Sequence, residues 1–179
     1  RSHHLRRAAE DAVMEFVDWT KGLGDTLFFA GAPVSDGVRL FNCMLAIQNG
    51  RLVGITPKQN IPNYGEFEES RWFRPGPDDV KTIGYGDEER PFGNLLYCLG
   101  DAVVHAEVCE DLWMPIPPSS FAALAGANIL VNGSASNETV AKDEYRHELV
   151  NNQSGRCMAA YAYASAGPEE STNDVVFSG

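Results

Sequence analysis

Residue types that carry out acyl-transfer chemistry follow three separate apolar stretches of this sequence. Cys109 follows the apolar stretch 102–108, Lys58 follows 52–57, and the small polar run 132–136 follows 127–131. A cysteine supplies a nucleophilic sulfur, and a nearby lysine favours the thiolate and can stabilise an oxyanion. If the three stretches are neighbouring strands, the pattern indicates a thiol nucleophile with a cationic partner at one edge of a sheet.

The immediate neighbours of Cys109 oppose this chemistry. Glu110 and Asp111 follow it directly, and carboxylates raise the pKa of a thiol because two anions repel each other. A cation must therefore come from elsewhere in the chain, and Lys58 is the candidate. From the residues alone, Cys109 as a buried packing residue and Lys58 as a solvated strand end remain open alternatives.

The elements that must position these residues alternate between helix and strand patterns. Apolar residues recur every three or four positions over 5–22, which predicts a helix, and 140–153 predicts a second helix with a solvated KDEYRHE face. Asn49-Gly50 predicts a hairpin turn between strands at 40–48 and 52–56. Further strands are expected at 26–34, 92–99, 101–109, 127–131, 157–165 and 174–177.

The remaining segments are expected to connect these elements. Residues 59–76 predict a loop or short helix, and the acidic stretch 77–91 predicts a surface excursion. The proline-rich run 115–118 ends the strand before Cys109, and Ser119 or Ser120 would cap a short helix at 121–125. The pattern predicts an α/β (α+β) fold of mixed sheets covered by helices.

Composition narrows the classes of partner and compartment. The 179 residues carry a formal net charge of −11, which disfavours nucleic acid and anionic membrane surfaces. No apolar run approaches the ~20 residues that span a bilayer. The four cysteines are scattered without a CxxC pair, so we expect free thiols in the cytoplasm and no metal site.

Four motifs together resemble a known family. They are Pro57-Lys58, the run 61–76, EVCEDLW at 107–113 before P-x-P-P-S, and NGSAS at 132–136. The first two together contain the pattern Lys-x3-Pro-x-Tyr-x2-Phe-x-Glu, which runs from Lys58 to Glu69. They resemble the carbon–nitrogen hydrolase (nitrilase) superfamily, and more closely the glutamine amidotransferase domain of glutamine-dependent NAD⁺ synthetases. The resemblance covers nearly the whole chain and implies an αββα sandwich.

The resemblance also implies an activity and roles for particular residues. The activity is glutamine hydrolysis through a cysteine thioester, with the ammonia used for ATP-dependent amidation of deamido-NAD⁺ to NAD⁺. Cys109 matches the nucleophile, Lys58 the triad lysine, and Glu69 a supporting carboxylate. The matches to the glutamine pocket are Tyr64, Glu110, Trp113, Ser136 and Lys142, the last at a position where relatives often carry arginine.

One part of the family pattern is missing from this sequence. The family's first triad member is a glutamate in a P-E-x motif that would precede residue 5. We therefore expect residues 1–179 to be the central part of a glutaminase domain, poorly active or inactive alone. The partner would be a synthetase domain of the same polypeptide, and that domain would bind ATP and Mg²⁺. We expect no cofactor in residues 1–179 and a homo-oligomer at full length. A stand-alone amidase and an inert fragment are the alternatives.

Overall fold

The structure is a computed structural model that describes residues 3–179. Arg1 and Ser2, the first residues of the predicted 1–179 domain, lie outside the described residues. The helices are α1 (His3–Trp19), α2 (Pro118–Leu124) and α3 (Lys142–Cys157). The strands are β1 (Leu27–Ser35), β2 (Leu40–Gln48), β3 (Arg51–Pro57), β4 (Lys81–Tyr85), β5 (Glu88–Phe92), β6 (Tyr97–Leu99), β7 (Ala102–Val108), β8 (Ile129–Ser134) and β9 (Ala160–Ser165).

The strands form two mixed sheets that pack face to face. The first sheet has the order β1-β2-β3-β5-β4, and the second has the order β6-β7-β8-β9. Helix α1 packs on the first sheet, and α2 and α3 pack on the second. This helix–sheet–sheet–helix layering confirms the predicted αββα fold. Within residues 3–179, no helix is long and apolar enough to cross a membrane.

Strand β2 shows how the sequence fills both sides of the first sheet. Its odd-numbered residues from Phe41 to Ile47 pack in a cluster with Val13 and Val17 of α1. Its even-numbered residues Met44 and Ala46 pack against the second sheet. Successive side chains of a strand point to opposite faces, so a strand buried on both faces is apolar throughout.

The parallel part of the second sheet brings two chemically important segments together. Strands β7 and β8 are parallel, and Val108 is opposite Gly133. The residues that follow β7 therefore lie beside the end of β8. Gly133 also allows the sheets to approach closely, since a Cβ there would lie 2.5 Å from Met44 Sδ.

Most predicted elements are present, and the hairpin at Asn49-Gly50 is confirmed with φ of 45° and 76°. Three predictions about strands are wrong. The predicted strand 92–99 is interrupted, because residues 93–96 lie between β5 and β6 and form no strand. The stretch 77–91 contains most of the hairpin β4–β5 rather than a surface excursion. Residues 174–177 form no strand; Val175 O accepts a hydrogen bond from Thr172 N at 2.8 Å, and the segment turns back.

Two finer predictions about the helices are also wrong. Helix α2 begins at Pro118 with Pro117 as its N-cap, so neither Ser119 nor Ser120 caps it. The KDEYRHE face of α3 is not fully solvated, because Arg146 is only 4 % exposed. Its guanidinium instead forms ion pairs with Glu138 and, at 3.3 Å, Asp143.

Candidate active site

Lys58 lies directly after β3, and its side chain is completely buried. Its Nζ donates a hydrogen bond to Glu69 Oε1 at 2.7 Å. Glu69 begins the 3-10 turn Glu69–Arg71 in the long loop that follows Lys58. A buried ammonium group needs a nearby carboxylate to offset its lost hydration, so this pair fixes the lysine. Glu69 Oε2 is buried and has no hydrogen-bond partner within residues 3–179.

Cys109 occupies an uncommon backbone conformation at the end of β7. Its φ is +47°, in the left-handed region that residues with a Cβ seldom adopt. It is the first residue of the 3-10 turn Cys109–Trp113, and its side chain is partly exposed. Strained backbone of this kind concentrates at functional sites, where it presents a side chain to a ligand.

Asp111 joins the Cys109 turn to the loop after Lys58. Its carboxylate accepts hydrogen bonds from Val108 N at 3.0 Å, Gln59 N at 3.1 Å and Asn60 N at 2.8 Å. The Cys109 turn and the loop after Lys58 therefore meet at this carboxylate. Burial raises the pKa of Asp111 to about 6, and hydrogen bonds from Val108 and Asn60 oppose that rise.

Glu110 points toward Tyr64 across the same edge. The Tyr64 hydroxyl donates to the two oxygens of Glu110 at 2.8 and 2.9 Å. Burial raises the pKa of Tyr64, and its hydrogen bond to Glu110 and the charge of that carboxylate add to the rise. The Tyr64–Glu110 bond thus joins the loop after Lys58 to the Cys109 turn a second time.

Aromatic rings and one lysine continue the wall from Tyr64 to Trp113. The Tyr64 and Phe67 ring centroids are 5.9 Å apart, edge to face. Lys142 Nζ lies 5.9 Å from the Phe67 ring centroid and 5.4 Å from that of Trp113. The ammonium also donates to Asn137, which in turn donates to Glu66. This ring-lined wall carries a positive charge at the Lys142 end and a negative charge at the Glu110 end.

Ser136 is buried behind this wall. Its carbonyl oxygen accepts from Arg146 Nη1 at 3.4 Å, and its side chain contacts the Tyr163 hydroxyl. Burial raises the pKa of Tyr163, and its hydrogen bonds to Ser134 and Ser136 oppose that rise. All eight sequence-predicted site residues lie in segments that follow β3, β7 and β8.

Several polar residues that support the site were not singled out from the sequence. The sequence identifies Asp111 only as a charge beside Cys109, and it gives no signal for Asn60 or Tyr161. Asn132 and Glu107 lie inside the matched motifs, but the motifs assign them no role. No group of three His, Cys, Asp or Glu side chains in the described part of the chain could hold a metal ion.

The fold defines the class of protein. An amidase of the nitrilase superfamily from Nesterenkonia sp. AN1 matches 96 % of this chain and 56 % of that chain, with a TM-score of 0.65 at 16 % identity. The chain therefore has the carbon–nitrogen hydrolase fold. A search of family models found no match.

Sequence comparison gives a more particular relationship. The chain is 43 % identical over 179 residues to the glutamine-dependent NAD⁺ synthetase of Mycobacterium leprae, covering 98 % of this chain and 26 % of the relative. The crystal structure of a glutamine-dependent NAD⁺ synthetase from Cytophaga hutchinsonii matches with a TM-score of 0.80 at 29 % identity, over 92 % of this chain and 26 % of that chain. The predicted resemblance is confirmed: this chain is a relative of the glutamine-dependent NAD⁺ synthetases and spans about a quarter of their length.

Proposed function

We propose that this chain forms the thiol site of a glutaminase that supplies ammonia to an NAD⁺ synthetase. The observation that carries the proposal is the junction at Asp111, which holds the strained Cys109 turn beside the buried Lys58–Glu69 pair. Asp111 is bonded to the two residues that follow Lys58 and to the residue before Cys109, and a cation close to a thiol favours the thiolate. A packing cysteine does not need the positive φ.

The reaction follows from these groups. Cys109 Sγ bonds to the carbon of the glutamine side-chain amide, and the developing oxyanion is held by Lys58 and the backbone N–H of Glu110. The carbon–nitrogen bond breaks, and the nitrogen leaves as ammonia with the proton of the thiol. Water then adds to the thioester carbon and expels the sulfur, which releases glutamate.

The proposed pocket suits an amino acid that carries two opposite charges. Glu110, with the Tyr64 hydroxyl, would receive the α-ammonium group, and Lys142 would receive the α-carboxylate. Trp113 would form the wall between them, and Ser136 would complete the pocket from behind. Because opposite charges at fixed separation select a zwitterion of matching length, a simple amide should react poorly.

The proposal extends to the polypeptide in which the relatives carry this segment. The ammonia would be used by a synthetase domain of the same polypeptide to amidate deamido-NAD⁺, with ATP and Mg²⁺ bound there. We also propose a cytoplasmic homo-oligomer. A further carboxylate, which the family carries before the position of Leu5, would act as general base, so the 179-residue chain alone should turn over poorly.

The test uses 6-diazo-5-oxo-L-norleucine, a glutamine analogue that alkylates a nucleophile with loss of nitrogen gas. In the full polypeptide that carries this sequence, we expect one adduct at Cys109 by peptide mass mapping, and glutamine should protect the sulfur. Cys98 is exposed and serves as the internal control, because iodoacetamide should label it while the analogue does not.

The companion variant is Cys109→Ala. It should abolish glutamine-dependent NAD⁺ formation and leave formation from added ammonium salts intact. Equal labelling of Cys98 and Cys109 by the analogue, or loss of both activities in a folded variant, would contradict the proposal. Activity on simple amides in place of glutamine would indicate an amidase instead.

A further inference from the structure

Asn132 is bonded to both backbone groups of Cys109. Asn132 Oδ1 accepts from Cys109 N at 3.1 Å, and its Nδ2 donates to Cys109 O at 3.4 Å. The asparagine is completely buried at the end of β8. The parallel register of β7 and β8 makes this contact possible across 23 residues of sequence.

A chain of buried donors and acceptors fixes the orientation of the Asn132 amide. Glu107 Oε2 accepts from Ser119 N at 2.9 Å, and its Oε1 accepts from the Tyr161 hydroxyl. Because Tyr161 uses its proton for Glu107, its oxygen is left to accept from Asn132 Nδ2 at 3.2 Å. The opposite end of the amide, Oδ1, must then face the N–H of Cys109.

Asn128 makes a related pair of backbone contacts at the other end of these strands, where no chemistry is expected. Asn128 Oδ1 accepts from Val103 N at 2.8 Å, and its Nδ2 donates to Asp101 O at 2.8 Å. Neither of those two residues has a positive φ, and Asn128 is exposed. Each asparagine thus binds one backbone N–H and one carbonyl at one end of β7, but only Asn132 binds both groups of a single residue, and that residue has a positive φ.

The hydrogen bonds of Asn132 and Asp111 also determine which backbone N–H is left for the substrate. The N–H of Val108 is bonded to Asp111, and the N–H of Cys109 is bonded to Asn132. The first N–H groups of a helical turn lack partners inside it, and Glu110 is the second residue of the turn Cys109–Trp113. The Glu110 N–H is therefore the donor next to the sulfur that neither Asp111 nor Asn132 engages.

We propose that Asn132 is a positioning residue that holds Cys109 in its left-handed conformation and leaves the Glu110 N–H free for the oxyanion. Tyr161 and Glu107 act through it by fixing the direction of its amide. This inference rests on the proposed function of Cys109 as the nucleophile. It adds a residue that acts on the backbone of the nucleophile and does not touch the substrate.

The test compares Asn132→Ala with the matched control Asn128→Ala in the full polypeptide. Releasing the strained conformation should lower the glutamine kcat by about 10- to 100-fold and change KM by less than about threefold. The rate of inactivation by the diazo-ketone should fall in parallel, while ammonium-dependent NAD⁺ formation stays unchanged. Asn128→Ala should lower stability without altering either rate.

Tyr161→Phe provides a second and milder variant. It keeps the ring but removes the acceptor for Nδ2, so we expect a smaller fall in the same kcat. Combined with Asn132→Ala it should add nothing, because Tyr161 acts through the asparagine. If Asn132→Ala does not fold, Tyr161→Phe measured against Asn128→Ala still decides the question.

The possible failures are distinguishable. If both Asn132→Ala and Asn128→Ala leave kcat unchanged, or lower it equally, the positioning role is wrong although Cys109 still reacts with the analogue. Fully additive losses in the double variant would contradict the path through Tyr161. If the unaltered protein is not labelled at Cys109 at all, the proposed function fails first.

Discussion

The two sheets bury different kinds of side chain. The core of the first sheet (β1–β5) is mainly apolar, and its cluster with α1 contains large side chains such as Phe41, Ile47 and Phe92. The second sheet (β6–β9) buries charged and amide groups on the face toward α2 and α3, among them Glu107, Asn132 and Gln153. Each of these polar groups is hydrogen-bonded to a neighbour that is itself fixed.

This difference separates stability from positioning. Apolar burial contributes about 25 cal/mol per Å² and tolerates small shifts, because it has no direction. A buried hydrogen-bond chain contributes little net stability but enforces one geometry, since an unpaired member is costly. The first sheet therefore contributes most of the stability and leads to Lys58, and the second sheet fixes the orientation of Cys109.

The largest expected effect is on the first sheet. Phe92 is completely buried, and its ring packs edge to face on Phe41 at 5.0 Å between centroids. Phe92→Ala should lower the free energy of unfolding by about 3–5 kcal/mol through lost burial and a cavity. The glutamine kcat per folded molecule should stay within about twofold.

Phe121→Ala is the matched control for that change. Phe121 lies on α2 beside the second sheet and is 63 % exposed, so its truncation should change stability by less than about 0.5 kcal/mol. Chemical denaturation of both variants gives the two numbers. Equal destabilisation would contradict the assignment of stability to the first sheet.

The next effect concerns Asp111, which connects the two sheets at the candidate site. Its pKa is about 6 in the folded protein against an ordinary 3.8, so between these pH values only the folded state holds the proton. The free energy of unfolding contributed by this group therefore falls as pH rises from about 4 to 6, by about 3 kcal/mol.

Asp111→Asn should remove this pH dependence. Denaturation of the two proteins at pH 4.5 and 6.5 gives the difference that belongs to Asp111 alone. The variant should also lose glutamine turnover at pH 7.5, because an asparagine presents one acceptor to backbone donors that now share two oxygens. Parallel pH curves for the two proteins would show that Asp111 stays ionised throughout.

The same contrast explains which features the sequence could predict. Lys58 and Cys109 were placed at one edge because a hairpin turn, apolar stretches and matched motifs all agree on local structure. The hairpin β4–β5 is not evident from the sequence because Gly84 and Pro91 separate its buried positions and one of those positions is Arg90. An arginine in a core position hides the period of two that identifies a strand.

The polar support of the site could not be predicted for a different reason. Asn132 and Cys109 are 23 residues apart, and Tyr161 and Glu107 are 54 apart. Their contacts depend on the parallel register of β7, β8 and β9, which a shift of one residue would abolish. Sequence periodicity assigns the strands but does not specify this register.

The smallest expected effect is at a hydrogen bond that joins the sheets away from the candidate site. Tyr97 of β6 and Thr56 of β3 share a bond of 3.1 Å between their hydroxyls, and burial raises the pKa of Tyr97 to about 12. Tyr97→Phe should lower the free energy of unfolding by about 0.5–1.5 kcal/mol, because the Thr56 hydroxyl loses its buried partner. Although Thr56 is only two residues from Lys58, the glutamine kcat should not change, since Lys58 is held by Glu69 and by its backbone bond to Asn42. A fall in kcat with unchanged stability would mean that the contact between the sheets also positions the lysine. Stability and positioning would then not be separated between the two sheets.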